Sequence, residues 1–307
     1  MFENVVCYHC GSDDFTEMLK AQEDLTGKPG EFTFVTCNNC GFAYQNPRVT
    51  IEKIVDYYDD EYISHRKQTK WGILTPIYNY VMGKYDRDKD RIIRKYVKLN
   101  EQSEVLDVGC AVGTFLTHMQ ARYGSKIVGV DFKDCSHYPG FDKIDFHQGL
   151  FYDQDLGENR FDLITMWHYL EHDYDPRRSL KLAKKLVKDD GRIIIEVPRL
   201  DSKTFTVFGD RWPGLQAPQH TVLFTKKSFI EFAEESGLEV VDFLPYGAFP
   251  AYFYIFTGVA FKILKGKGIN ISRWIYPYFL GQILMLPITI FEKYLNLSMQ
   301  TIILKKP

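Results

Sequence analysis

The sequence predicts an α/β protein in which a largely parallel sheet is covered by helices on both faces. From Glu104 onwards, short apolar runs alternate with helical segments, which is typical of such a sheet. A cysteine-rich segment precedes that region, and an uncharged apolar stretch, WIYPYFLGQILMLPITIF, occupies residues 274–291. The chain is therefore expected to combine one large α/β domain with a small N-terminal ribbon and a helical apolar insertion.

Composition narrows the function classes. The 307 residues are 45% hydrophobic and 25% charged, with a formal net charge of −2. Such a chain can bury a sizeable core, and its charge gives no electrostatic reason to expect nucleic acid as a partner. The first residues, MFENVVCYHC, lack the basic start and apolar run of a secretory signal. We therefore expect a cytoplasmic protein whose cysteines are reduced.

Four cysteines form two C-x-x-C pairs, Cys7 with Cys10 and Cys37 with Cys40. Two such turns, joined by a β-rich segment, aim four sulfur atoms at one point, as a tetrahedral zinc site requires. The alternatives are a buried reduced pair and a redox motif. We expect a structural Zn²⁺, because a shell of four thiolates leaves no open position for chemistry.

The chain divides into three predicted regions. Residues 1–45 form the zinc ribbon, which is too small to fold without its metal. Residues 46–98 have the apolar spacing of a helical cap or linker. Residues 99–307 form the main domain, with the apolar insertion at about 249–296. Its predicted strands are EVLDVG, KIVGVD, IDFHQG, FDLITMW, GRIIIEVP, EVVDFLPY and MQTIILKK. The last run has no helix after it and is a candidate to enter the sheet antiparallel.

The first strand of the main domain ends in a glycine-containing turn that opens a helix, EVLDVGCAVGTFL. A dinucleotide loop would read G-x-G-x-x-G. Here Gly109 and Gly113 are separated by three residues and Asp107 precedes the turn, so this loop does not fit that fingerprint. A carboxylate disfavours a phosphate but suits an amino-bearing ligand. The second strand ends in Asp131, which is placed to accept hydrogen bonds from both hydroxyls of a ribose.

These motifs resemble those of the class I S-adenosylmethionine-dependent methyltransferases, in particular the branch with an N-terminal zinc ribbon found among small-molecule, glycan and lipid-linked tailoring enzymes. The likeness rests on CxxC…CxxCG, on NPR followed by YYxxxY, and on VLDVGCxxG, GVD, FDLIxxxHxLEH and GRIIIEVP in that order. It covers nearly the whole chain. The resemblance implies a Rossmann-like seven-stranded sheet with its last strand antiparallel, and S-adenosylmethionine as the cofactor.

The resemblance also implies which residues bind that cofactor. The set is Asp107, Gly109, Cys110, Gly113, Asp131, Phe132, Gln148, Gly149, Leu150, Trp167 and His168. Within it, Asp131 would bind the ribose hydroxyls and Phe132 would cover the adenine. The chain departs from the family at Ala111, where many members have glycine. The alternative is a doubly wound domain whose loop is merely a turn.

Methyl transfer to oxygen or carbon also needs a base, and a neutral histidine suits this role because its ordinary pKa lies near working pH. His168 and His172 are four residues apart, so they would share one face if a helix begins there. His220 lies in a proline- and glycine-rich loop expected over the carboxyl end of the sheet. A similar family loop implies that His220 and Trp212 face the acceptor. We expect His220 first and His168 second as the base, with structural hydrogen bonding as the alternative for each histidine.

The apolar insertion has three interpretations. A transmembrane hairpin needs about 20 apolar residues per span, and both of its segments are short for that. An internal cap over a hydrophobic acceptor cavity needs no membrane. A membrane-surface helix pair explains the basic and aromatic composition best. Its basic residues are Lys262, Lys265, Lys267, Arg273 and Lys293.

The leading hypothesis is a methyltransferase that acts on an oxygen, or on a carbon or nitrogen, of a small or lipid-linked acceptor. We expect the protein to lie peripherally on the inner face of a membrane. An RNA methyltransferase would want a basic ribbon, whereas residues 1–45 are acidic. A non-catalytic cofactor-binding module that is recruited to membranes is the third alternative. The acceptor and the oligomeric state do not follow from the sequence.

Overall fold

A computed structural model describes residues 2–58, 75–138, 140–269, 277–278, 280–282, 284–285, 287 and 291–307, with the backbone alone at 75–82. The strands are β1 Phe2–Glu3, β2 Phe15–Gln22, β3 Glu31–Cys37, β4 Ala43–Gln45, β5 Arg48–Val49, β6 Glu104–Val108, β7 Lys126–Asp131, β8 Asp145–Gln148, β9 Phe161–Trp167, β10 Val187–Pro198, β11 Val222–Leu223, β12 Glu239–Leu244 and β13 Met299–Lys305. The helices are α1 Ile51–Ile54, α2 Thr75–Ile93, α3 Thr114–Tyr123, α4 Pro176–Leu186, α5 Lys203–Phe208, α6 Lys226–Glu235, α7 Ala251–Leu264 and α8 Glu292–Leu295.

The main sheet has seven strands in the order β12-β13-β10-β9-β6-β7-β8. β13 runs antiparallel to both of its neighbours, and the pairs among β10, β9, β6, β7 and β8 are parallel. Each of the seven apolar runs contributes one strand. This confirms the predicted α/β class and the antiparallel last strand.

Both faces of the sheet are buried, as expected for parallel strands. Successive residues of β6 enter different hydrophobic clusters, with Leu106 in one and Val105 in the other. The covering helices begin at recognisable caps. Asp175 accepts a hydrogen bond from the backbone N–H of Arg178 at the start of α4, and Thr225 forms a capping box with Ser228 at the start of α6.

The N-terminal ribbon shares a second sheet with the main domain. Its order is β11-β4-β3-β2, so a strand from the main domain extends the ribbon hairpin. Val222 and Leu223 of β11 pair antiparallel with Tyr44 and Ala43 of β4. The ribbon is therefore hydrogen-bonded to the loop that precedes β11.

The predicted helical region at 46–98 is only partly helical. It contains β5, which pairs with β1, followed by α1 and, after a gap, α2. Residues 59–74 lie outside the described part of the chain.

The insertion contains α7, which is 14 residues long. That helix spans about 21 Å, whereas a bilayer core is about 30 Å thick. Within the part of the chain that is described, we find no helix with both the length and the apolarity needed to cross a membrane. The described residues between 277 and 287 are helical, and Tyr278 packs on Tyr252 and Phe256 of α7 with ring centroids 5.2 Å apart in each pair.

Candidate active site

A cavity of about 370 Å³ opens at the carboxyl ends of β6, β7 and β9. Ligands of open α/β sheets bind at this edge, because the turns that follow parallel strands converge there. The predicted cofactor residues that line it are Asp107, Gly109, Cys110, Asp131, Phe132, Gly149, Leu150, Trp167 and His168. Among the described residues, Gly113 and Gln148 are the members of the predicted set that lie outside this lining.

Asp131 is held in place before any ligand binds. It is 6% exposed at the end of β7, and its Oδ2 accepts the backbone N–H of Ala111 at 2.9 Å. Its Oδ1 accepts the N–H of Lys133 at 3.0 Å. Burial raises the pKa of this carboxyl, while these backbone hydrogen bonds oppose the rise. The side chain thus joins the glycine-containing turn to the loop after β7.

The backbone of the turn after β6 favours glycine at the position that Ala111 occupies. Ala111 has φ of 46°, in the left-handed region that favours glycine, between Gly109 at 75° and Gly113 at 70°. Gly113 has a packing reason as well. A Cβ there would lie 2.7 Å from Ile144 and 2.8 Å from Phe141. This glycine therefore lets α3 pack closely on protein rather than on a ligand.

A buried ammonium group faces the same part of the cavity. Lys89 of α2 is 7% exposed, and its Nζ lies 4.3 Å from the ring centroid of Tyr85 and 5.4 Å from that of Trp167. Asp107 is 4% exposed and accepts a 2.6 Å hydrogen bond from the hydroxyl of Thr165. Burial raises the pKa of Asp107 to about 7, and the charge of Lys89 opposes that rise. Lys89 and Asp107 can therefore pair with a carboxylate and an amino group.

His168 connects the ends of β9 and β10 to the insertion. Its Nδ1 lies 3.1 Å from Glu171 Oε1, and its Nε2 lies 3.2 Å from Glu196 Oε1. Glu196 is completely buried and also accepts the backbone N–H groups of Ala248 and Phe249, at 2.6 and 3.0 Å. Burial opposes the charged imidazolium, but the two carboxylates outweigh it and raise the pKa of His168 to about 9. At neutral pH His168 is therefore a proton donor, not a free base.

His172 and His220 meet edge to face, with ring centroids 4.4 Å apart. Both histidines line the cavity. Burial lowers the pKa of His220, and burial together with the neighbouring histidines lowers that of His172 further, so both rings are neutral at pH 7. The condition for His168 and His172 to share an α-helix face is not met, because His168 has φ of 55° and Leu170–His172 forms a 3₁₀ turn.

The prediction that Trp212 faces the acceptor is wrong. Its side chain is 1% exposed, and its Nε1 donates a 2.9 Å hydrogen bond to Thr204 Oγ1. The ring packs on Phe205 with centroids 5.4 Å apart. Trp212 is a core residue that supports the His220 loop from behind. The cavity wall is instead completed by Phe249, Phe253 and Tyr254 of the insertion.

The four ribbon cysteines converge as their spacing predicts. The Cys7 and Cys40 sulfurs are 3.5 Å apart, as are those of Cys10 and Cys37, and all four lie within 4.8 Å of one another. Sulfurs about 2.3 Å from a tetrahedral zinc ion would be separated by about 3.8 Å. These residues therefore fit a tetrathiolate metal site.

Residues 82–242 match the family described as "Methyltransferase domain". The chain belongs to this family of class I S-adenosylmethionine-dependent methyltransferases. That match confirms the family resemblance of the main-domain motifs, and it does not include the ribbon. It does include the turn after β6 and the loop that bears His220.

Two relatives have the name ubiquinone biosynthesis O-methyltransferase. The relative from Coxiella burnetii is 27% identical over 158 residues, which is 45% of this chain and 64% of that protein. The relative from Aromatoleum aromaticum is 28% identical over 156 residues, which is 46% of this chain and 65% of that protein. The chain thus spans less than two thirds of the length of each of these relatives.

A solved structure shows the same fold. It is a chain from the complex between the Haloferax volcanii Trm112 methyltransferase activator and its methyltransferase. The TM-score is 0.51 at 14% identity, with 75% of this chain and 93% of that chain covered. The likeness extends to the fold alone.

Sequence reasoning missed Lys89, which lines the cavity, and Glu196, which supports it through His168. Lys89 lies in DRDKDR, whose charges suggest a solvated helix face. Glu196 offered a usable signal, because it is a single charged residue in the apolar run IIIEVP. A carboxylate inside a fully buried strand needs partners, and here those partners are His168 and the backbone of the insertion.

Proposed function

We propose that this protein transfers a methyl group from S-adenosylmethionine to an oxygen of a small apolar acceptor. The observation that carries the proposal is the continuity of one cavity. Asp107 and Asp131 line this cavity, and so do neutral His220 and aromatic side chains of the insertion. The two relatives named O-methyltransferases support an oxygen acceptor.

When bound, S-adenosylmethionine would supply a methyl group on a sulfonium, and transfer would form a bond from the acceptor oxygen to the methyl carbon as the carbon–sulfur bond breaks with its electron pair left on sulfur. Asp131 would hold the ribose hydroxyls, and Asp107 and Lys89 would pair with the amino and carboxylate groups. The apolar wall excludes water from the reacting atoms. His220 Nδ1 donates to the carbonyl of Gly214 at 2.8 Å, so its Nε2 is available to take the acceptor proton.

Replacement of His220 by asparagine tests this role. The asparagine amide can still donate to the carbonyl of Gly214, but no acceptor remains at the position of Nε2. We expect turnover to fall by about 100-fold or more, with cofactor affinity within about twofold of wild type. The matched control is His147→Asn, because His147 lies on β8 and pairs with Asp145. Turnover of His220→Asn equal to that of the control would contradict the assignment.

The same proposal places the protein at the inner face of a membrane. Val259 and Ile263, one turn apart on α7, are 49% and 62% exposed, and Leu280 and Leu284 are 62% and 71% exposed. Lys262 lies beside them on α7. Apolar side chains flanked by lysines suit a surface of anionic lipid. An apolar acceptor could then enter the cavity from the bilayer.

Aspartate at Val259, Ile263 and Leu284 is expected to abolish co-sedimentation with anionic liposomes, because burial of charge in lipid is costly. Point changes are preferable to deletion of 249–296, because Ala251 and Tyr254 are buried in the core. The control carries one aspartate at Val6, which is 53% exposed in the ribbon. Equal sedimentation of the triple variant and wild type would refute membrane binding by this surface.

In this proposal the four ribbon cysteines hold a structural Zn²⁺. The metal would fix the two turns that contain the cysteines. Through the pairing of β4 with β11, it would also steady the chain immediately after His220.

A further inference from the structure

Glu171, His172 and His220 converge where the 3₁₀ turn after β9 meets the loop before β11, and the two histidines line the cavity. One potential ligand atom from each side chain lies within 4.8 Å of the other two. Glu171 is 1% exposed and His220 is 2% exposed. The two segments are held together by the backbone, because the N–H of Thr221 donates to the carbonyl of Glu171 at 2.8 Å.

Hydrogen bonds at Nδ1 orient both histidine rings. His220 Nδ1 lies 2.8 Å from the carbonyl of Gly214, and His172 Nδ1 lies 3.1 Å from the carbonyl of Gln219. A carbonyl can only accept, so Nδ1 of His220 carries the hydrogen and the lone pair of that neutral ring lies on Nε2. Nδ1 of His172 also lies 2.9 Å from the hydroxyl of Tyr58, which can donate as well as accept, so Nε2 of His172 bears the lone pair in the tautomer that donates to Gln219. Metal-binding histidines are oriented by this kind of hydrogen bond from the other ring nitrogen.

Glu171 supplies an unpartnered carboxylate oxygen. Its Oε1 accepts a hydrogen bond from His168, whereas its buried Oε2 has no hydrogen-bond partner among the described residues. A buried carboxylate oxygen without a donor costs free energy, so its position calls for a missing positive group. His168 is already shared with Glu196 and cannot satisfy it.

We propose that Glu171, His172 and His220 bind a divalent transition-metal ion. Two imidazoles and one carboxylate suit ions such as Mn²⁺, Fe²⁺, Co²⁺ and Zn²⁺ and leave open positions on the ion. Ligand atoms about 2.1 Å from one ion lie at most about 4.2 Å apart, so small side-chain rotations suffice to close this cluster. This site differs from the site of the ribbon cysteines, where four sulfur ligands would leave no open coordination position on the ion.

The open positions would take the oxygen of the acceptor, and this part rests on the proposed function. A hydroxyl on the ion loses its proton more readily. The proton would pass to water at the cavity mouth. The oxygen would then bond to the methyl carbon as the bond from that carbon to sulfur breaks, and sulfur would keep the electron pair. His220 would in that case act as a metal ligand rather than as the base.

Co²⁺ titration of the zinc-loaded protein tests the site without any acceptor. Zinc competes better than cobalt for cysteine ligands, so the ribbon keeps its zinc. We expect one Co²⁺ per chain, with a visible absorption band and no thiolate charge-transfer band. Glu171→Gln and His220→Asn should each weaken binding by at least about tenfold, whereas His147→Asn should bind as wild type does. Two ligand variants are used so that misfolding of one leaves a second measurement.

Absence of Co²⁺ binding, or equal binding by both ligand variants and wild type, would overturn the proposal. Turnover separates this failure from failure of the proposed function. Methyl transfer is measured after all metal outside the ribbon has been removed. If it persists there but is lost in His220→Asn, His220 is the base and no metal takes part in catalysis. Transfer that is lost on chelation and restored by Co²⁺ would support the ion's role in catalysis.

Discussion

Asp131→Asn is expected to weaken S-adenosylmethionine binding by about 100-fold, which is about 2.7 kcal/mol. The carboxylate would accept hydrogen bonds from both ribose hydroxyls while it holds the backbone N–H groups of Ala111 and Lys133. An asparagine amide has only one oxygen, so its NH₂ group would face either a ribose hydroxyl or a backbone N–H. Isothermal titration of the cofactor into wild type and variant measures the loss.

The matched control is Asp134→Asn, three residues further along the same loop. Asp134 accepts hydrogen bonds from Ser136 and is fully exposed, so its variant should bind the cofactor as wild type does. Thermal melts establish that both variants are folded. Cofactor affinity within about threefold of wild type in a folded Asp131→Asn protein would contradict the assignment of the ribose subsite.

Cys37→Ser is expected to remove the ribbon metal and to lower the melting temperature by about 10 °C. Cys37 is 1% exposed at the end of β3, and its sulfur lies 3.5 Å from that of Cys10. A structural metal contributes several kcal/mol to folding, and about 1 kcal/mol corresponds to about 2–4 °C in a large domain. Metal analysis and calorimetry of the same preparation measure the two effects together.

The effect should extend to turnover, because β3 pairs with β4, β4 pairs with β11, and β11 begins two residues after His220. The control is Cys135→Ala, which removes a fully buried thiol that lies outside the ribbon. It should keep its zinc. A Cys37→Ser protein that lacks metal but has the melting temperature of the wild type would show that the ribbon needs no ion.

Much of the fold could be predicted because it depends on local patterns. Parallel strands that are buried on both faces read as apolar runs, and each of the seven runs is a strand. No helical segment follows the last apolar run, and this feature pointed to the antiparallel direction of β13. Glycine spacing and the strand-end aspartates likewise placed Asp107 and Asp131 at one cavity, because the ends of parallel strands meet at one edge.

The remaining site depends on tertiary contacts that no local pattern carries. Lys89 looks like one charge in a solvated helix, yet it is buried among aromatic rings. Trp212 shares a loop with His220, but its side chain is buried in the core, where its indole N–H donates a hydrogen bond to Thr204. His172 reaches His220 from a 3₁₀ turn, a contact that the spacing of His168 and His172 does not indicate. The partner of His168, Glu196, is 28 residues away in the chain.

The apolar stretch at 274–291 belongs to the insertion that lines the cavity, and its described residues form no membrane-spanning helix. Its described residues pack on α7. Gly281 of the stretch has no side chain and so leaves room for the hydroxyl of Tyr252, which lies on α7. Phe249 and Phe253, from the start of the insertion, line the cavity beside His168. The start of the insertion therefore lines the cavity, while Leu280 and Leu284 are exposed.

Transfer of a labelled methyl group tests the central claim most directly. The protein would be incubated with S-adenosylmethionine that carries a trideuteromethyl group and with a total lipid extract, and the products would be analysed by mass spectrometry. We predict an apolar product that gains one trideuteromethyl group on oxygen with wild type and at least about 100-fold less of it with His220→Asn. A protein that binds the cofactor but labels no compound in lipid or aqueous extracts would contradict methyl transfer as its function.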